Sequence, residues 1–151
     1  MDVRNPIFDL TGKTALVTGA SGGLGGRFAR VLADHGARVV LAARRTDRLE
    51  SLAGEIAGNG GQAHALAMDV TDASSVADAF ARAEREFAPI DIVINNSGVS
   101  GDGPVLDCDA DTWDHVMDTN LRGAFLVARE AAARMRDSGR PGSIVNIASI
   151  V

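Results

Sequence analysis

The sequence predicts an α/β domain: a doubly wound parallel sheet with helices on both faces. Three observations carry that expectation. Short apolar runs alternate along the chain with stretches whose apolar residues recur every three to four positions, the pattern of successive βαβ crossovers. The runs read as near-continuous apolar stretches rather than as apolar at every second residue, as strands covered on both faces do. Finally, the glycine-rich segment Thr18-Gly19-Ala20-Ser21-Gly22-Gly23-Leu24-Gly25 stands between the first run and the first helical pattern.

Five strands are expected from the runs Thr14 to Thr18, Ala37 to Ala43, Ala63 to Met68, Ile90 to Asn95 and Ser143 to Ala148, of which the second, fourth and fifth are rich in Val and Ile. Helical spacing appears in Leu24, Phe28, Val31 and Leu32, then in Leu49, Leu52 and Ile56, then in Val76, Phe80, Ala83 and Phe87. The punctuation agrees. His35-Gly36 and Gly58-Asn59-Gly60-Gly61 close the first two helices, Asp47 with Glu50 resembles a capping box, and Thr71 or Asp72 opens the third. A fourth helix is expected over about Ala110 to Asp137, with Trp113, Val116, Met117, Leu121, Ala124, Phe125 and Ala128 on its core-facing side. Asn120 falls on that same side, and a buried amide there requires hydrogen-bonding partners.

With 151 residues, the chain fits one domain, spanning 1–151, large enough to bury about two-thirds of its unfolded surface. Fifteen basic residues against 20 acidic give a net charge of −5, which disfavours a nucleic-acid partner. Cys108 is the only cysteine, so there is no internal disulfide and no zinc spacing, and a reducing, cytoplasmic setting is expected. Asp107, Asp109 and Asp111 lack the further ligand spacing of a calcium loop and read as a solvated turn; no metal is expected. Residues 1–6 contain no apolar leader core, and no run is long enough to span a membrane.

Gly19, Gly23 and Gly25 come after a strand and open a helix, where unpaired amides and the helix dipole favour an anion such as a pyrophosphate. Glycine lets backbone approach phosphate, or helix approach strand, where a Cβ would collide. An ordinary tight turn in a chain with 17 glycines is the competing reading. About 20 positions on, where an acidic residue would take a ribose 2′-hydroxyl, the chain reads Leu41-Ala42-Ala43-Arg44-Arg45. No carboxylate is offered, and Arg44 suits a 2′-phosphate, which favours NADP over NAD. A solvated arginine before a helix is the alternative.

Taken together these segments resemble the N-terminal part of a short-chain dehydrogenase/reductase. The family's TGxxxGxG motif is similar to Thr18, Gly19, Gly23 and Gly25; its adenine-contacting Asp-Val pair to Asp69-Val70; and its Asn-Asn-Ala-Gly to Asn95-Asn96-Ser97-Gly98, with Ser97 replacing alanine. Asp91 resembles an aspartate that steadies the glycine loop, Asn120 the helical asparagine of the catalytic tetrad, and Ser149 the catalytic serine. The resemblance runs from about Asp9 to Val151. It implies a Rossmann-like domain and a cofactor site of Thr18, Gly19, Ser21, Gly23, Leu24, Gly25, Arg44, Asp69, Val70, Asn96, Ser97 and Gly98. Asn120 and Ser149 are implied as catalytic residues.

By resemblance, the parent protein is expected to be an NADP(H)-dependent oxidoreductase interconverting an alcohol and a ketone, with NAD the alternative cofactor. Its partner is a small-molecule substrate, and it is expected to be a homo-oligomer that binds neither nucleic acid nor membrane. The family's Tyr-x-x-x-Lys pair is absent, because the sequence has no tyrosine. The chain is therefore expected to be a truncated dehydrogenase, cut after the fifth strand and inactive alone. A non-catalytic nucleotide-binding or interaction module lacking that pair is the alternative from another functional class.

Overall fold

The computed structural model describes residues 6–101 and 103–149. The reading of residues 1–5 as free of a leader, and the end of the resemblance at Val151, lie outside them. Five strands form one parallel sheet: β1 Thr14–Thr18, β2 Arg38–Ala43, β3 Gln62–Ala67, β4 Ile92–Asn95 and β5 Ser143–Asn146. Their order is β3-β2-β1-β4-β5. The strands are connected by α1 Gly23–Asp34, α2 Thr46–Gly58, α3 Ala73–Glu86, α4 Ala110–Met117 and α5 Ala124–Asp137, with 3₁₀ turns at Pro6–Phe8 and Val105–Asp107.

Both faces are covered over β1, β2 and β4, which explains their apolar runs, while the edge strand β5 stays largely exposed, with Val145 at 44%. Leu16, Val40, Leu66 and Val93 point to one face, where Val76 and Phe80 of α3 and Val127 and Ala131 of α5 pack on them. Ala15, Val17, Val39, Leu41 and Ile94 point to the other, against Ala29 of α1 and Leu49, Leu52 and Ile56 of α2. The order reverses between β1 and β4, and in a doubly wound sheet ligands bind beyond the carboxyl ends of the strands at such a switch point.

Local signals and structure agree in most places. His35 and Asn59 end α1 and α2, and Asp72 caps α3 by accepting from the Ser74 amide at 2.8 Å. Asp109, in the acidic turn, caps α4 through the Thr112 amide at 2.7 Å. The Asp47–Glu50 capping box does not form: α2 starts at Thr46 after Arg45, with no side-chain cap. Strand limits differ as well. β4 begins at Ile92, with Ile90 and Asp91 in the irregular segment ahead of it, and β5 ends at Asn146.

The largest departure is the fourth helix. Residues Ala110 to Asp137 form a continuous helical stretch, but Asp118–Gly123 is a π-helical turn. The apolar side assigned to the core is largely outside: Trp113, Leu121 and Phe125 are 56%, 61% and 59% exposed. Buried instead are Thr119, Gly123, Val127 and Ala131, a row of smaller residues at i, i+4 spacing, of which Val127 and Ala131 pack on the sheet. Gly123 shows why size decides. A Cβ there would lie 2.8 Å from Val70 Cγ2, so the helix comes too close for anything larger.

Candidate functional site

A cleft of about 600 Å³ opens at the carboxyl ends of the strands. It is walled by the turn from β1 into α1, the segments following β2 and β3, the loop after β4, and the end of α4 with the π turn. Eleven of the cofactor residues expected from the sequence line it, namely Gly19, Ser21, Gly23, Leu24, Gly25, Arg44, Asp69, Val70, Asn96, Ser97 and Gly98.

The β1–α1 turn is built from close backbone packing. Gly19 has φ +65°, a left-handed conformation that disfavours a side chain. A Cβ at Gly25 would sit 2.4 Å from the Gly19 carbonyl oxygen and 2.6 Å from Asn96 Nδ2. At Gly23, by contrast, a Cβ meets no protein atom within 4 Å. The helix begins after Gly22 with no side-chain cap, and its first residues Gly23, Leu24 and Gly25 line the cleft, at a helix end whose amides lack intrahelical partners.

Thr18 departs from the expectation of direct cofactor contact. It is 1% exposed, and its hydroxyl oxygen accepts from the amides of Asn96 at 3.0 Å and Ser97 at 2.9 Å. Asn96 returns the tie by donating through Nδ2 to the Thr18 carbonyl at 3.0 Å. The loop after β4 is thus pinned to the glycine turn by groups some 78 positions apart. Asn95 is buried beside it and donates to the Ala124 carbonyl at 3.1 Å and to Asn146 Oδ1 at 2.9 Å, joining β4 to α5 and β5.

Asp91 is also misassigned by resemblance. Its carboxylate is 4% exposed at the opposite end of the sheet, where Oδ2 accepts from the Thr14 amide at 2.9 Å and Oδ1 pairs with Arg140 at 2.6 Å. It fastens the starts of β1 and β4, and touches no part of the glycine turn.

At the far wall, Asp69 Oδ1 accepts from the Thr71 amide at 3.0 Å and from the Thr71 hydroxyl at 2.8 Å. The amide bond first, and then the hydroxyl, hold the Asp69 carboxyl below its ordinary range, with Arg44 adding to the effect and burial opposing it. Asp69 is therefore an anion, with Oδ2 making no hydrogen bond among the described residues, and can accept from a ligand amine. Arg44 lines the same side and is exposed. A short cation-rich edge results, because Arg45, just before α2, lines the cleft too.

Asn120 lies behind the cleft in the π turn. Its Oδ1 accepts from the Val99 amide and its Nδ2 donates to the Val99 carbonyl, both at 2.8 Å. Both halves of the amide are satisfied by one residue of the β4 loop. Ser149 is exposed, three residues beyond β5, and does not line the cleft. Because Asn95 pairs with Asn146, the chain leaves β5 at the same end of the sheet.

Local pattern gives no sign of four further cleft residues: Thr71, His115, Asp118 and Thr119. The last three come from α4 and the π turn, which a pattern of apolar spacing cannot aim at a ligand. Among the described residues, no cluster of three or more His, Cys, Asp or Glu could hold a metal, and no helix is long and apolar enough to cross a membrane.

Comparison with known proteins gives a consistent assignment. The family model for short chain dehydrogenase matches residues 13–151. The gluconate 5-dehydrogenase of Gluconobacter oxydans is 42% identical over 144 residues, which is 95% of this chain and 56% of that protein. A short-chain type dehydrogenase/reductase from Mycobacterium marinum superposes with a TM-score of 0.91 at 41% identity, covering 95% of this chain and 58% of that one. A metagenomic short-chain oxidoreductase solved in complex with NADP superposes at 0.85 with 36% identity, covering 94% and 64%. The chain thus spans a little over half the length of these relatives.

Proposed function

The chain belongs to the short-chain dehydrogenase family, and from that membership we propose that it supplies the dinucleotide site of an NADP(H)-dependent oxidoreductase interconverting an alcohol and a ketone. One observation carries the reading. A Cβ at Gly25 would strike the turn while a Cβ at Gly23 would enter only the cleft, so the turn combines close packing behind with open backbone in front. That is a cradle for pyrophosphate, at the end of a helix whose amides lack a side-chain cap.

A bound nicotinamide dinucleotide supplies hydride exchange; the residues of this chain bind and orient. First-turn amides of α1, with Ser21 beside them, hold the pyrophosphate. Arg44 takes the 2′-phosphate as a charge-assisted pair, and Asp69 with Val70 takes the adenine. Ser97 and Gly98 border the nicotinamide end, and Thr18 acts through the loop rather than on the ligand. Asn120 fixes Val99, and Ser149, by resemblance, orients the substrate. Proton transfer is left unassigned among these residues, since the sequence holds no tyrosine. A small-molecule alcohol or ketone is the substrate class, in a cytoplasmic homo-oligomer that binds no nucleic acid or membrane.

The relative solved with NADP supports the choice of cofactor, as does the absence of a carboxylate beside Arg44 at the end of β2. Calorimetric titration of the full chain tests it: NADPH should bind about ten- to a hundredfold more tightly than NADH, the worth of one charge-assisted bond. Arg44→Ala should erase most of that ratio. Equal binding of the two before mutation refutes the NADP assignment while leaving a dinucleotide site, and binding of neither refutes both.

A further inference from the structure

We propose that Arg122, in the π turn, is a positioning residue that fixes Asp69 for reading the purine base of the bound dinucleotide. The inference rests on the dinucleotide reading above and adds a residue and a selectivity to it.

The loop from Asp69 to Asp72 is tied at each corner. The Asp69 amide donates to Ser75 Oγ at 2.9 Å. The Thr71 amide and hydroxyl both donate to Asp69 Oδ1. Asp72 accepts from the Ser74 amide and hydroxyl. These bonds are all local, so they set the loop's internal shape but not its distance from the rest of the cleft. That distance is set from the π turn. Arg122 Nη1 donates to the Thr71 carbonyl at 2.6 Å across 51 positions, and Gly123 lies flush against Val70. Among the described residues, the Arg122 bond is the polar link between this loop and the helix opposite.

The consequence falls on Asp69. With Oδ1 held by both donors of Thr71, Oδ2 is the acceptor available to a ligand, and its place depends on where Thr71 is pulled. Adenine offers an exocyclic amine, which donates to a carboxylate. Hypoxanthine carries a carbonyl at that position, which repels it. Selection between the two bases therefore depends on how firmly Asp69 is held, as a contact group depends on its supporting shell. Asn120 and Arg122 sit two residues apart on one π turn and grip opposite lips of the cleft, at Val99 and Thr71.

The test uses the full chain with NADPH and with its deamino analogue, which carries hypoxanthine in place of adenine. Arg122 is exposed, so Arg122→Ala should retain fold and thermal stability, checked by circular dichroism. The affinity ratio of NADPH to deamino-NADPH should fall about fivefold in Arg122→Ala, less than a full charged hydrogen bond is worth, because water competes at an exposed site and Arg122 acts through Thr71. Arg122→Lys, which still donates to the carbonyl, should recover part of the ratio. A merely structural role would lower both affinities together and leave the ratio unmoved, which overturns the inference. Wild-type protein that binds NADPH with no preference over its deamino analogue overturns it too, with the dinucleotide site intact. Wild-type protein that binds neither overturns the dinucleotide reading and this inference with it.

Discussion

Two glycines in the β1–α1 turn should respond to substitution in opposite ways. At Gly25 an alanine Cβ would lie 2.4 Å from the Gly19 carbonyl oxygen, 2.6 Å from Asn96 Nδ2 and 2.9 Å from the Gly19 carbonyl carbon. Two of those three atoms are backbone, and Asn96 is held by its own bond to Thr18, so nothing in the pocket can yield cheaply. Overpacking of this kind costs about 1 to 3 kcal/mol, from which roughly 1 kcal/mol is recovered because alanine is a better helix former than glycine. The net cost of up to about 2 kcal/mol corresponds to a fall in Tm of several degrees at roughly 2 to 4 °C per kcal/mol. NADPH affinity should fall as well, since Gly19 and Asn96 move. At Gly23 an added Cβ meets no protein atom within 4 Å, so Gly23→Val should be accommodated. Its Tm should stay within about 2 °C of wild type, the effect of a substitution away from packed features being within about ±0.5 kcal/mol. Its NADPH affinity should nevertheless drop at least tenfold, about 1.4 kcal/mol, because the branched side chain fills the space in front of the first-turn amides. Calorimetric titration paired with thermal melts reads both quantities. Wild-type affinity in Gly23→Val would remove the turn from the site, whatever Gly25→Ala does.

Asp91→Ala should act on stability alone: it leaves the buried Thr14 amide without its acceptor and breaks the pair with Arg140. A loss of roughly 2 to 3 kcal/mol is expected from the orphaned donor and the lost charge pair. NADPH affinity measured well below the melting transition should be unchanged; weakened binding at wild-type Tm would restore the loop-steadying role that resemblance implies. Asp69 should leave a signature in acid. Its folded pKa is depressed, so its contribution to stability is complete above the unfolded carboxyl pKa and is lost as pH falls through the lower folded value. Melts across that acidic window should fall more steeply for wild type than for Asp69→Asn; parallel curves would show that ionisation of Asp69 contributes nothing to the folded state.

Strand positions are legible because burial on both faces writes itself as an unbroken run, whatever the partner strand is. Their limits are less so. Ile90 is apolar and buried yet lies ahead of β4, and a hydrophobicity pattern registers burial, not ladder pairing. The fourth helix fails for a different reason. Its sequence offers two apolar faces, a large one with Trp113, Leu121 and Phe125 and a small one with Gly123, Val127 and Ala131. Apolar spacing marks the large face and passes over the small one. The sheet takes the small face because Gly123 must rest on Val70, and the π turn, with its extra residue, rotates α5 by about 100° relative to an uninterrupted α-helix.

The residues that shape the cleft are legible in kind and much less so in connection. Glycines and Arg44 announce themselves by position after a strand, because a switch point exposes the residue beyond each strand end to the same ligand; the Asp69-Val70 pair is found only by resemblance. The ties that hold those residues in place join groups 21, 51 and 78 positions apart: Asn120 to Val99, Arg122 to Thr71 and Asn96 to Thr18. No local window contains both ends of such a bond. Resemblance can supply one end without saying where it points, which is why it gives Thr18 to the ligand when its hydroxyl serves the loop, and Asp91 to the glycine turn when it serves the far end of the sheet. A ligand-contacting residue is constrained by the chemistry of the ligand, and so can be read from residue type. A positioning residue is constrained only by the geometry between two loops, so Arg122 carries no mark in the sequence and emerges only once the loops are set side by side.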